Sequence, residues 1–188
     1  MKEVEVKYKI SNRQKVMDAL KKSGVVLGAV NRQEDISYAP KGYDYSRTGQ
    51  GIPFLRIRRQ NGRAILTLKK PMSNHLDKLE LETNISDPVQ MEGIINELGY
   101  EQDQRITKDR IKGEHAGYEI CLDSVEALGD FIEVESMIED DENSEEAQES
   151  MRVLLKEILG DEFDNLVDAR TGYDVLMRIK NGQITYKF

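Results

Sequence analysis

Hydrophobic and charged residues alternate strictly along Glu3-Val4-Glu5-Val6-Lys7-Tyr8-Lys9-Ile10. A period of 2 predicts a strand with Val4, Val6, Tyr8 and Ile10 on one face and Glu3, Glu5, Lys7 and Lys9 on the other. The pattern recurs. Leu55-Arg56-Ile57-Arg58, Leu79-Glu80-Leu81-Glu82 and Ile132-Glu133-Val134-Glu135 each carry a pair of charges two residues apart. Between such strands the period lengthens to that of a helix. Ser11 or Asn12 caps a predicted helix over about 12–23, with Val16, Ala19 and Leu20 as its stripe and Gly24 as its stop. Asp87 caps another, with Pro88 at the first position, Met91, Ile94, Ile95 and Leu98 on the apolar side, and Gly99 at its end. Further strands are predicted at 33–38, at 54–59 and 64–69 around the turn pair Asn61-Gly62, and over 78–85 and 104–112. A last hairpin joins 118–123 to 131–135. Residues 39–52 make a long, turn-rich loop. After an acidic run at 139–149 come a helix over about 145–159, a shorter one over about 161–178 and a final strand over 183–187.

The elements repeat. An offset of 75 lays Glu5 on Glu80, Ile10 on Ile85, Ser11 on Ser86, Asn12 on Asp87, Val16 on Met91, Leu20 on Ile95 and Gly24 on Gly99. Both halves read strand, capped helix, glycine, strand, hairpin. Two copies of about four strands each fit a closed or nearly closed antiparallel β-barrel with helices covering the outside. The expected fold is α+β with a pseudo-twofold internal repeat. One domain is expected over 1–188, the barrel over about 1–136 and the C-terminal helices and strand over about 137–188.

Composition sharpens this. Of 188 residues 38% are hydrophobic and 33% charged, so the surplus charge needs somewhere to go. The net charge of −8 argues against nonspecific binding to nucleic acid or membrane. No apolar run approaches the ~18 residues of a membrane span, and the chain begins at once with a charged strand, so no signal peptide is visible. Cys121 has no second cysteine to pair with. A reducing cytoplasm is therefore the expected compartment, and a monomer or homodimer the expected state.

The charged parity of the strands collects Glu3, Glu5, Glu80, Glu82, Asp123, Glu133 and Glu135 with Lys7, Arg56, Arg58, Lys69, Lys108 and Arg110. Buried without partners these would cost several kcal/mol each. They must pair, stay wet or bind ligands of opposite sign. Carboxylates without paired histidines favour a hard cation, Mg²⁺ or Mn²⁺. Clustered bases favour a polyanion with several phosphates. Metal plus polyphosphate implies phosphoryl or nucleotidyl transfer. Open sheets with solvated charged faces and cross-strand salt bridges are the alternative that alternation alone allows. Cys121 reads as a small packed residue, His75 and His115 as surface histidines, and 139–149 as a solvated lead-in to a helix.

These residues resemble a known family. Glu3-x-Glu5-x-Lys7 is similar to the E-x-E-x-K signature of the CYTH superfamily, the triphosphate tunnel metalloenzymes. Leu55-Arg56-Ile57-Arg58 resembles its L-R-x-R strand, Lys69 the lysine of the partner strand, and Lys108-Asp109-Arg110 its K-x-R. The segment from Leu122-Asp123 through Leu128-Gly129-Asp130-Phe131 to Glu133-Val134-Glu135 resembles its L-D-x-V-x-x-L-G-x-F-x-E-x-E. The match runs in order over about residues 1–136. The resemblance implies an eight-stranded antiparallel tunnel that binds a triphosphate and a divalent metal. It implies Glu3, Glu5 and Glu135 as metal ligands, with Asp123 and Glu133 beside them or assisting through water. Lys7, Arg56, Arg58, Lys69, Lys108 and Arg110 would hold the phosphates, and Lys7, Arg56, Lys108 and Arg110 would be catalytic. Glu80 and Glu82 match acidic tunnel positions. Thr171-Gly172-Tyr173 is only a loose match to a C-terminal tyrosine of the family. In length and in the Leu122–Glu135 segment the chain is most similar to class IV adenylyl cyclases, which implies conversion of ATP to 3′,5′-cyclic AMP and pyrophosphate. A triphosphatase acting on inorganic, thiamine or nucleoside triphosphate is the alternative. A non-catalytic polyphosphate- or nucleotide-binding module is the second. The partner expected is a small-molecule triphosphate, with no nucleic acid and no membrane. The longer 39–52 loop departs from compact members, and the resemblance leaves base recognition open.

Overall fold

This computed structural model describes residues 1–45 and 50–185. In chain order its elements are β1 (Lys2–Ile10), α1 (Arg13–Lys22), β2 (Val26–Leu27), β3 (Asn31–Pro40), β4 (Phe54–Gln60), β5 (Arg63–Pro71), β6 (Asp77–Ile85) and α2 (Pro88–Glu97). There follow β7 (Tyr100–His115), β8 (Tyr118–Val125), β9 (Gly129–Ile138), α3 (Ser144–Leu159), β10 (Val167–Asp168) and α4 (Tyr173–Lys180). Neighbours run β1-β6-β5-β4-β3-β7-β8-β9, and β9 pairs back onto β1 from Lys2↔Ile138 to Ile10↔Asp130. Every pairing is antiparallel. Eight strands therefore close into a barrel, with no free sheet edge left in the ring.

The repeat is visible in the pairing. β1 lies against β9 of the second half and β6 against β5 of the first, so the halves exchange their leading strands. Asn12 accepts from the Lys15 amide and Asp87 from those of Val89 and Gln90, capping α1 and α2 at equivalent places. Gly24 and Gly99 end the two helices at φ of +84° and +86°. The seams between the halves differ. β3 and β7 pair from Asn31↔Arg110 to Pro40↔Tyr100, with a bulge between Ile36 and Tyr38. β1 and β6 meet only at Glu3↔Lys78 and Val4↔Asp77. β10 takes up the vacated edge of β1, through Tyr8↔Asp168 and Lys9↔Val167.

The outward faces of the strands carry the core. Val4, Val6, Tyr8 and Ile10 are buried with Ile120, Leu122, Ile132 and Val134 beneath Val16 and Leu20 of α1 and Met151 and Leu155 of α3. Ile95 of α2 packs on Ile36, Tyr38 and Ile57. Hydrophobic residues thus face out under helices and charges face in, the inverse of a water-filled surface sheet. Solvated faces on open sheets are ruled out: Glu5, Lys7, Lys108, Arg110, Asp123 and Glu133 are all buried.

Four expectations need correction. β7 is longer than the predicted 104–112, because β2 extends it through Val26↔Glu114 and Leu27↔Gly113. The strands come so close there that a Cβ on Gly113 would meet a Val25 methyl at 2.9 Å. The helix expected over 161–178 is instead a 3₁₀ turn, Gly160–Asn165, then β10, then α4. Leu166 and Phe163 pack into the main core, and pairing to β1 extends the next residues. Of the expected strand at 183–187, residues 183–185 are not in a strand and 186–187 lie outside the described residues. His75 is not a simple surface residue, since it lines the interior cavity. Among the described residues no helix is long and apolar enough to cross a membrane.

Candidate active site: a charged barrel interior

Period 2 on closed strands sends alternate residues into one cavity of about 490 Å³. β1 supplies Glu3, Glu5 and Lys7, and β9 supplies Glu133 and Glu135. β4 adds Arg56 and Arg58, β7 adds Lys108 and Arg110, and Lys69, Glu80 and Glu82 come from β5 and β6. Asp123 of β8 sits behind this lining, fully buried.

The charges fall into two groups. Carboxylate oxygens of Glu3, Glu5 and Glu135 all lie within 4.8 Å of one another. Burial pushes Glu3 up to about 6 and Glu135 well above the usual carboxylate range. Glu5 is also pushed up by burial, but Lys7 at 3.2 Å and Lys78 at 2.9 Å outweigh that and hold it ionised. Three oxygen donors that crowd together, two of them with a raised affinity for protons, suit a hard divalent ion. The residues therefore fit the metal that the sequence implies. Glu119, Cys121 and Glu135 form a second close trio. Burial pushes the Cys121 thiol far up, so it is no ready thiolate.

The second group is a web of bases and acids. Asp123 accepts from Arg110 Nε at 2.7 Å and Nη2 at 2.6 Å, from Lys108 at 2.8 Å and from the Tyr173 hydroxyl at 2.9 Å. Glu133 pairs with Lys7 at 3.1 Å and with Arg110. Arg58 grips Asp35 with two bonds of 2.7 Å. Arg56 Nη2 donates to Thr67 at 2.9 Å and Glu82 at 3.0 Å, while its Nε is buried with no hydrogen-bond partner. Lys69 pairs with Glu80. Lys108 is pushed down to about 8, by burial first and by Arg110 beside it second.

All the residues expected inside the tunnel except Asp123, which lies buried behind the wall, line the cavity, yet they divide. Glu3, Glu5 and Glu135 converge on one point. Asp123 and Glu133 instead have their oxygens occupied by Arg110, Lys108, Lys7 and Tyr173. Three further residues belong to the cavity. Lys78 continues the parity of Glu80 and Glu82 one step back, a signal present in the sequence. Asp35 sits directly opposite Arg58, in a strand whose parity already pointed it inward. Tyr173 lies under Lys7 and Lys108, whose ammonium groups are 4.4 and 4.8 Å from its ring centre.

A family model described as the CYTH domain matches residues 1–169. The chain belongs to the CYTH family. A Methanocaldococcus jannaschii relative, provisionally named adenylate cyclase, is 34% identical over 169 residues, covering 89% of this CYTH chain and 94% of that protein. A solved Pyrococcus horikoshii structure is 28% identical with a TM-score of 0.77, covering 95% of this chain and 99% of that one. A Hippeastrum structure shares the fold at 16% identity and a TM-score of 0.62, covering 98% of both chains. It is described as an adenylyl cyclase candidate with a dominant triphosphatase activity. CYTH membership carries with it a tunnel for triphosphates and dependence on a divalent metal.

Proposed function

We propose that this CYTH protein is an adenylyl cyclase of class IV type, acting in the cytoplasm on ATP with Mg²⁺ or Mn²⁺. The observation that carries this reading is the carboxylate trio Glu3, Glu5 and Glu135 facing a wall of lysines and arginines within one cavity. The provisional name of the Methanocaldococcus jannaschii relative points the same way. Lys7, Arg56, Arg58, Lys69, Lys108 and Arg110 bind the three phosphates. Asp123 and Glu133, whose oxygens are occupied by these bases, hold Lys7, Lys108 and Arg110 in place and are not counted among the ion's ligands. Bound at the trio, the cation supplies charge neutralisation on the phosphates and acidifies the attacking hydroxyl. The ribose 3′-oxygen bonds to the α-phosphorus, the bond from that phosphorus to the β-bridging oxygen breaks, and pyrophosphate leaves. The hydroxyl proton leaves to solvent water as that bond forms, and Lys108, charged beside the phosphates, helps neutralise them.

Hydrolysis is the second reading, favoured by the triphosphatase activity of the Hippeastrum protein. Water then attacks in place of the ribose hydroxyl. Purified protein given ATP, with Mg²⁺ or Mn²⁺ and inorganic triphosphate alongside, decides between them. Cyclic AMP with pyrophosphate supports cyclisation. Orthophosphate without cyclic AMP makes the tunnel a hydrolase, and binding without turnover makes it a binding module.

Lys108 also gives the site a pH signature. Its free-state value of about 8 lies below the ordinary lysine value because its charged form is disfavoured. Phosphates beside it favour the charged form and raise that value. Binding should therefore take up protons from about pH 8 upwards, and affinity should fall as pH rises through that window. Calorimetry of ATP binding without divalent metal, in buffers of different ionisation enthalpy, measures the uptake directly, free of the protons a cation would displace from Glu135. Proton release instead of uptake would remove Lys108 from the phosphate site.

A further inference from the structure

The internal repeat gives the barrel two comparable outer walls, and they are covered differently. Strand register confirms the equivalence: Val6 pairs with Val134 across β1 and β9 as Leu81 pairs with Leu68 across β6 and β5. On the first wall α3 lies over β1 and β9 beside α1. Val4 and Val6 are buried beneath it, and Ala19 of α1 packs into the same core. The Ser23 hydroxyl donates to the Ile158 carbonyl of α3 at 3.3 Å. The offset of 75 lays these four residues, Val4, Val6, Ala19 and Ser23, on Leu79, Leu81, Ile94 and Leu98. On this second wall α2 packs on Leu66 and Ile85 of β5 and β6. Among the described residues no helix stands beside α2 as α3 stands beside α1. Leu81 is 59% exposed, Ile94 48% and Leu98 69%, with half-buried Leu68 and Leu79 among them. Single exposed leucines are ordinary, but neighbouring apolar side chains on one face mark an interaction surface.

The charges around the patch say what fits it. Glu97 sits in the last turn of α2, where the helix dipole is negative and no base is present. Its counterpart on α1 is Lys22, the sign that the dipole favours. Lys70 points outward on β5, opposite Leu79. Among the described residues neither Glu97 nor Lys70 has an ion-pair partner. The face thus offers an apolar ridge on α2, an apolar step on β5 and β6, and one unpaired charge of each sign. Such a surface complements itself, which a twofold contact requires. We propose that this wall is the contact between two copies of the chain. The Ile94–Leu98 flank of each α2 covers β5 and β6 of the other copy, as α3 covers the first wall, and Glu97 faces Lys70 across the contact. In a contact of ordinary size, about 800 Å² on each copy, these apolar side chains make the dry centre. The wall lies on the opposite side of β6 from Glu80 and Glu82, so the proposal stands apart from the chemistry in the cavity.

Sedimentation velocity of the full chain, from about 1 to about 100 μM, tests this. The wild type should dimerise within that range. Leu81→Asp and Leu98→Asp, both at exposed positions, should each raise the dimer dissociation constant by at least about tenfold. Val153→Asp, at an exposed position on α3, should leave it within about twofold. Glu97→Lys and Lys70→Glu each set like charges together at two symmetric points and should weaken the dimer by about tenfold. The double variant should return to within about threefold of wild type, because in a twofold contact one chain carries both halves of the pair. That rescue keeps the test sound if an aspartate at 81 or 98 disturbs the barrel. A wild type that stays monomeric throughout overturns the proposal and leaves the wall to a helix of another protein. A dimer that neither the aspartates nor the charge reversals weaken overturns it too, since the copies then meet elsewhere. Weakening by the aspartates alone supports the wall and overturns the Glu97–Lys70 pair.

Discussion

Glu5→Gln should abolish turnover and leave the barrel folded. The substitution keeps shape and hydrogen-bonding capacity and removes one negative charge. Glu5 is the one member of the carboxylate trio that two ammonium groups hold ionised, Lys7 at 3.2 Å and Lys78 at 2.9 Å. An amide there still accepts from both lysines. It cannot offer an anionic oxygen to a cation beside two carboxyls that burial keeps reluctant to ionise. The charge stabilisation supplied by a bound ion amounts to several kcal/mol in the transition state, so a loss of roughly 10³-fold in kcat is expected. Lys7 keeps Glu133 at 3.1 Å, which limits the structural cost. Activity at saturating Mn²⁺, a thermal melt and Mn²⁺ binding by electron paramagnetic resonance separate the effects. Weakened Mn²⁺ binding with an unchanged melt supports the trio as the metal site. Activity within about tenfold of wild type at saturating metal would remove Glu5 from it.

Much of this site could be read before any coordinates because closure of the barrel is written in local patterns. β1 needs only its own alternation to put Glu5 and Lys7 on one side and Val4 and Val6 on the other. Asn12 and Asp87 mark equivalent helix starts by capping chemistry that acts within three residues. Asn61 and Gly62 sit at φ of 50° and 71°, the left-handed pair that a two-residue hairpin demands. What stayed hidden depends on distant partners. Val167 and Asp168 are extended because β1 offers an edge there, and nothing in their own neighbourhood says so. Tyr173 begins a helix whose Leu176 and Met177 pack against Ile106, Val125 and Phe131. Its hydroxyl reaches Asp123 only because that docking swings it inward. The division of acids into a metal-like trio and a base-holding set was equally invisible. Alternation reports which face a carboxylate is on, not whether Arg110 stands next to it.

That division carries the second large effect. Asp123→Ala should destabilise the protein by about 3–5 kcal/mol, the cost of breaking a buried pair and leaving its cations behind. Asp123 is fully buried and holds Arg110 by two bonds, Lys108 by one and Tyr173 by one. Without it Arg110 keeps Glu133, but Lys108 loses its nearest carboxylate and Tyr173 its acceptor. At ~2–4 °C per kcal/mol for a chain of this size, the melting temperature should drop by roughly 6–20 °C. The carboxyl of Asp123 is pushed up by burial, yet Arg110 and Lys108 outweigh this and hold it below the ordinary aspartate range. Its contribution is then fully present above the unfolded value of about 4 and is lost as pH falls through the folded value. The gap between wild type and Asp123→Ala should therefore be widest near neutrality and close in strong acid. Adding Lys108→Met should recover part of the loss, since it removes the cation left stranded. A drop of less than about 1 kcal/mol at pH 7, or a gap that widens in acid, would mean that the web around Arg110 holds together without its central carboxylate.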